Sequence, residues 1–224
     1  MNLSKHFKSL IIGLTLAACI NSNAFDLHKK GLIKVDFTPC QIGIIGNLFA
    51  TDNVYGLCFP LPLSYVKNNY GFTSGVWGES YDHRGVQFNL VNQTNELSGV
   101  QMGFLGITTD SDGINSKSSG LQMNVVNLSE NLFGLQFGIF NKSGRLNGMQ
   151  WGVANIADQG FQFGFVNVFN SKKTQKEDHH QTDARIQFGL IYNHSNHSAF
   201  QIGAINYNKN GFLPIFPLFN FTLF

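Results

Sequence analysis

The sequence predicts an all-β fold: an antiparallel up-and-down meander of repeated strands, closed as a ~12-stranded barrel. Three observations carry that expectation. One eight-residue phrase, G-Φ-Q-Φ-(G/N)-Φ-Φ-N with Φ apolar, recurs from residue 85 onward. Each copy alternates with period two, the signature of a strand. The composition agrees, with 24 Gly and 22 Phe in 224 residues and only 12% charged side chains. Soluble chains usually carry about 25% charge. So many aromatics offset the entropy of ordering, which argues against a disordered chain. No G-X-Y period accompanies the glycine, so collagen is excluded. A formal net charge of +2 leaves no electrostatic footprint for nucleic acid.

In chain order, the N-terminus reads as an export signal. Lys5, His6 and Lys8 give a positive start, residues 10–20 are apolar, and Ser22, Asn23 and Ala24 supply a small-residue cleavage site. Residues 1–24 are therefore expected to be a signal peptide, and 25–224 a single β-repeat domain. Leu16-Ala17-Ala18-Cys19 also resembles a bacterial lipobox, which makes Cys19 the candidate for lipidation. Either cleavage takes the mature chain out of the cytoplasm. Cys40 and Cys58 remain after cleavage at Ala24. A single bridge is permitted in an oxidising compartment, and two small apolar side chains is the alternative.

The clear copies of the phrase begin at residues 85, 99, 120, 134, 148, 160, 185 and 199, as in GVQFNLVN (85–92) and GLQFGIFN (134–141). Weaker copies surround Gln41, Cys58, Thr73 and Pro214. Repeats of this kind take precedence over any local reading. Glycine recurs inside the phrase and no 3.6-residue period runs through it, so helix is excluded. The third position is always Gln: Gln87, Gln101, Gln122, Gln136, Gln150, Gln162, Gln187 and Gln201. These side chains could line a polar lumen. The favoured reading has their amides stacked and hydrogen-bonded to one another on a half-buried face.

Connectivity decides between barrel and coil. Only five residues separate Ala154 from Gly160. A parallel return along a seven-residue strand would have to cover ~20 Å, leaving nothing for two turns, whereas a five-residue hairpin loop is ordinary. Antiparallel pairing is thus expected. The three longest gaps between copies are the first, fifth and ninth, all odd, so a meander places them at one end, as the outer loops of membrane barrels are placed. Against closure, Pro39, Pro60, Pro62, Pro214 and Pro217 all lie outside the clear repeats. Proline is tolerated at edges, which a barrel lacks. The alternative is a parallel β-solenoid of ~14-residue coils. The chain ends on Phe224, like the aromatic end of an outer-membrane strand, but Asn220 and Thr222 break that register.

The repeated phrase, the segment VYGLCFPL (54–61) and the ending NGFLPIFPLFNF (210–221) together resemble a family of bacterial exported surface-repeat proteins. The resemblance spans roughly residues 40–221. It implies a Gram-negative cell-envelope location and brings no activity or functional residue with it. The chain departs from the pattern in the insertions at 107–119 and 168–184 and in Arg185 and Ala199, which replace glycine.

The expected function is a non-enzymatic outer-membrane barrel contacting outer-membrane lipid, with 107–119 and 168–184 displayed to an extracellular ligand. The alternative is a periplasmic or lipid-anchored β-repeat binding protein. No cofactor and no nucleic-acid partner are expected. GLCFP (56–60) lacks the second glycine and the strand-to-helix setting of a nucleophile elbow. Glu177, Asp178, His179, His180 and Asp183 offer metal-ligand chemistry, but their spacing fits no defined site, and a solvated loop is the better reading. His194 and His197 fall in a short turn that the barrel places at its opposite end.

Overall fold

The computed structural model describes residues 33–34, 37–43, 49–50, 52–109, 118–170 and 185–222. The export signal, Cys19, Phe224 and the acidic and histidine residues of 177–183 lie outside them. The described residues are all-β, with no helix. The elements are β1 Ile33–Lys34, β2 Phe37–Gly43, β3 Phe49–Ala50, β4 Asn53–Pro60, β5 Leu63–Thr108, β6 Ser118–Ala157, β7 Gly160–Phe169, β8 Arg185–Ser195, β9 Phe200–Asn208 and β10 Ile215–Phe221. One eight-stranded sheet contains β2 and β4–β10 in chain order.

Among the described residues, every pairing between strands of that sheet is parallel except β9 with β10. The expected antiparallel meander is therefore not formed, and the sheet is open rather than closed into a barrel. β5 shows how the chain runs instead. Its 46 residues would span ~150 Å if straight. Yet Gln87 and Gln101, both within it, touch through their side chains at 2.8 Å. The strand winds, and each copy of the phrase stacks on the preceding one. The architecture is the parallel coil of ~14-residue turns.

The five residues between Ala154 and Gly160 suffice because the eight-residue phrase is not one straight strand. In the turn 134–147, Gln136, Asn141, Ser143 and Leu146 are buried, while Leu135 and Ile139 are exposed. Between Gly138 and Asn141 the alternation slips. Ile139 and Phe140 are both outside the buried set, and the chain turns a corner there. The phrase thus forms only part of the perimeter, and six further extended residues close it. No separate 20 Å return is needed.

Glycine at the first position of the phrase makes a second corner. Gly134 has φ +152°, a region that L side chains rarely adopt. A Cβ there would also lie 2.9 Å from the Gly120 carbonyl carbon of the turn below. Stacked glycines let successive backbones close up at this corner. Ala199 needs no glycine, since its backbone is not in the positive-φ region.

The ends are treated differently from the middle. β10 reverses direction against β9, with a register shift between Phe216 and Leu218 around Pro217. Proline and an antiparallel strand blunt an edge that would otherwise template another chain. At the other end β2, which carries Pro39, pairs with β4 alone. The two long insertions do not disturb the coil. Thr109 N–H donates to Thr94 O at 3.0 Å and Asn170 N–H to Ala157 O at 2.9 Å. Each is the eleventh residue of its turn, so both insertions leave from one corner. Register resumes beyond them, with Gln101 opposite Gln122 and Gln162 opposite Gln187.

Candidate functional site

The interior is polar. All eight repeat glutamines are at most 1% exposed. From Gln101 onward, each donates an Nε2 proton to the oxygen of the glutamine in the preceding turn. The distances are 2.7–3.0 Å from Gln101 to Gln87 and onward to Gln201 with Gln187. The other Nε2 proton reaches the opposite wall: Ser129 Oγ for Gln136, Ile156 O for Gln150, His194 O for Gln187. A backbone carbonyl can only accept, so the –NH₂ must face it, and the orientation of these amides is fixed chemically. Because every member donates backwards, the last acceptor, Gln201 Oε1, has no donor.

A second column runs the other way. Asn127, Asn141, Asn155, Asn167 and Asn193 each donate forward to the next asparagine oxygen at 2.7–3.0 Å. Their second proton goes to the carbonyl of the phrase's fourth residue in that turn, as from Asn141 to Trp151 O. The Gln and Asn columns therefore carry opposed amide dipoles. In the turns where the amides reach both walls, the interior is filled by these bonds, as the stacked-amide expectation requires.

Two turns lack the asparagine and have glycine instead, Gly78 and Gly106. In each case the following turn replaces its fifth-position glycine with asparagine, Asn89 and Asn124. Those side chains fill the vacated space. A Cβ on Gly78 would meet Asn89 Nδ2 at 2.6 Å, and one on Gly106 would meet Asn124 Nδ2. Asn124 then bridges the gap, accepting from Asn92 at 3.3 Å and donating to Asn127 at 2.8 Å. The G/N alternation of the phrase is visible in the sequence, but the exchange behind it is not obvious there. The readable signal was a missing Asn followed, one turn later, by an extra one.

Apolar side chains are correspondingly turned outward. In all eight clear turns the second, fourth, sixth and seventh positions of the phrase are apolar without exception. Phe88, Leu90, Phe104, Ile139, Val153, Phe165 and Leu190 are among those strongly exposed. Along the fourth position Phe137, Trp151, Phe163 and Phe188 stack at centroid distances of 6.2, 6.1 and 4.9 Å. Between the fourth and sixth positions runs a groove of about 710 Å³, floored by Gly138, Gly152, Gly164, Gly189 and Gly203. The insertions follow Thr109 and Asn170, at the eleventh position of their turns and outside the positions that line this groove.

The remaining candidates resolve individually. Cys40 and Cys58 are free thiols. Burial pushes the Cys58 thiol up to about 11, only partly offset by Ser64, whose hydroxyl lies 3.6 Å from the sulfur. His83 occupies the turn position that holds Leu97, Leu132 and Leu146 elsewhere, and burial pushes its imidazole down to about 4. His194 stacks on Tyr207 at 4.7 Å. Among the described residues no three His, Cys, Asp or Glu side chains converge as metal ligands. Among them, too, no helix is long and apolar enough to cross a membrane.

No family model, curated protein or solved structure matches this chain. The likeness to exported surface-repeat proteins therefore stands on the repeat phrase itself.

Proposed function

We propose that this chain is an exported, non-enzymatic cell-envelope protein that works as an interaction scaffold. Its apolar wall is the contact surface, and the insertions that follow Thr109 and Asn170 are displayed away from it. One observation carries the reading. Four outward columns over eight turns contain no polar residue, a surface of roughly 35 × 17 Å, or ~600 Å² when unrolled around the corner at the sixth and seventh positions. The largest apolar patch on a typical monomer is ~300–600 Å² of accessible surface and is often functional. A corrugated surface of that extent lies at or above the top of that range, so we read it as built to be covered. The envelope location rests on the N-terminal signal and on the family resemblance. In this reading, any contact with outer-membrane lipid is made through one wall rather than around a barrel.

Fractionation of producing cells, with mass spectrometry of the mature chain, tests it. The expected product is an envelope-associated chain beginning at Phe25, or a lipidated one beginning at Cys19. A cytoplasmic chain retaining residues 1–24 would sink the proposal.

A further inference from the structure

We propose that the apolar wall is a self-association surface, and that its occupant is a second copy of this chain packed face to face about a two-fold axis. The inference rests on the scaffold reading above and names its partner.

The groove is the first reason. Its glycine floor repeats once per turn, every ~4.8 Å, and its walls are one residue either side of that floor. It is therefore one side-chain row wide and has the period of the coil. A second copy presents rows of that same period, such as Val153, Phe165 and Leu190 beside its own groove. Under a two-fold axis each copy's ridge enters the other's groove along its length. This is the dry, interdigitated packing that in-register sheets adopt. The repeat of a second copy matches the groove in every turn.

Area and charge point the same way. A stable interface buries ~800 Å² of accessible surface per partner. The corrugated surface, ~600 Å² when unrolled around the corner, supplies area of that order. Homodimer interfaces are the most apolar class. The face carries no charge at its four outward positions, so two copies bring no like charges together.

The test is light-scattering mass of the mature chain, purified from the envelope and transferred to detergent-free buffer, over 1–100 µM. The expected result is a two-copy mass for the wild type. Leu190→Glu and Phe165→Glu, both exposed outward positions, should each weaken self-association on the order of 100-fold by burying an unpaired charge. Their circular dichroism and denaturation profile should match the dissociated wild type, because neither side chain contributes to the interior. A wild type that is a single copy throughout overturns the proposal, as does a two-copy mass unchanged in both variants. Vesicles of neutral phosphatidylcholine separate the competing occupant: a single-copy chain that floats with them, and that Leu190→Glu releases, assigns the face to lipid and rejects self-association. Failure in any of these ways leaves envelope location intact, whereas a cytoplasmic chain would instead refute the scaffold reading.

Discussion

Gln136 shows what one side chain does here. It donates to Gln122 Oε1 at 2.7 Å and Ser129 Oγ at 3.1 Å, and accepts from Gln150 at 2.7 Å. Leucine in its place would strand an acceptor on Gln122 and a donor on Gln150, each costing about 1–3 kcal/mol when buried. Gln136→Leu should therefore destabilise by roughly 2–6 kcal/mol. Gln201→Leu, at the column's end, strands no neighbouring glutamine donor, only the Gln187 oxygen, and its loss should be about half as large. Urea midpoints compare the two, and equal losses would contradict the column. His83 makes a second prediction at this scale. Its folded value of about 4 lies below the unfolded 6.5. The unfolded chain thus takes the proton first, and stability falls as pH drops from about 6.5 to about 4, levelling off below. The span corresponds to on the order of 3 kcal/mol. His83→Leu restores the column's usual residue and should remove that slope from a pH series of thermal midpoints. The Gln positions were legible in the sequence because they recur without exception in the clear copies, and the Asn positions because they recur in most of them. His83 was not, because its column becomes visible only once the turns are stacked.

At the scale of the turn, the sequence revealed which residues alternate but not the direction of the neighbouring strand. Period two assigns faces. It is silent on whether fourteen residues make nine of strand and five of loop, or one closed perimeter. The glycine at the fifth position was the missed indicator, since a residue with no side chain in mid-strand marks a bend or a close approach. The same position holds the Asn exchange, and it yields a coupled prediction. Gly106→Asn alone crowds Asn124, and Asn124→Gly alone removes the donor to Asn127. Together they recreate the ordinary column, with an asparagine at position 106 between Asn92 and Asn127. Each single variant should be destabilised, while the double variant returns close to wild type, with a coupling energy of about 1–3 kcal/mol. Additive losses in a double-mutant cycle would show that Asn124 does not substitute for the missing asparagine.

For the whole molecule, parallel stacking makes the turn the unit of length. In a repeat array each unit contacts only its neighbours, so stability is roughly a sum over units and their interfaces. Removing residues 134–147 should join Phe133 to Gly148 with no change of phase, bringing Gln122 beneath Gln150 and Asn127 beneath Asn155. The shortened chain should fold, with a lower urea midpoint and an m-value reduced in proportion to the surface it no longer buries. Removing residues 134–140 alone should abolish folding, because every later residue would move half a turn out of phase: Gln150 and Asn155 would leave their columns, and Arg145 would take the crowded glycine position of Gly138. An antiparallel meander behaves differently. Losing one strand reverses every later strand and carries the following connections to the opposite end, so only pairs of repeats could be removed together. A folded 14-residue deletion beside an unfolded 7-residue one, read by circular dichroism, would separate the coil from the meander. Two unfolded variants would count against parallel stacking.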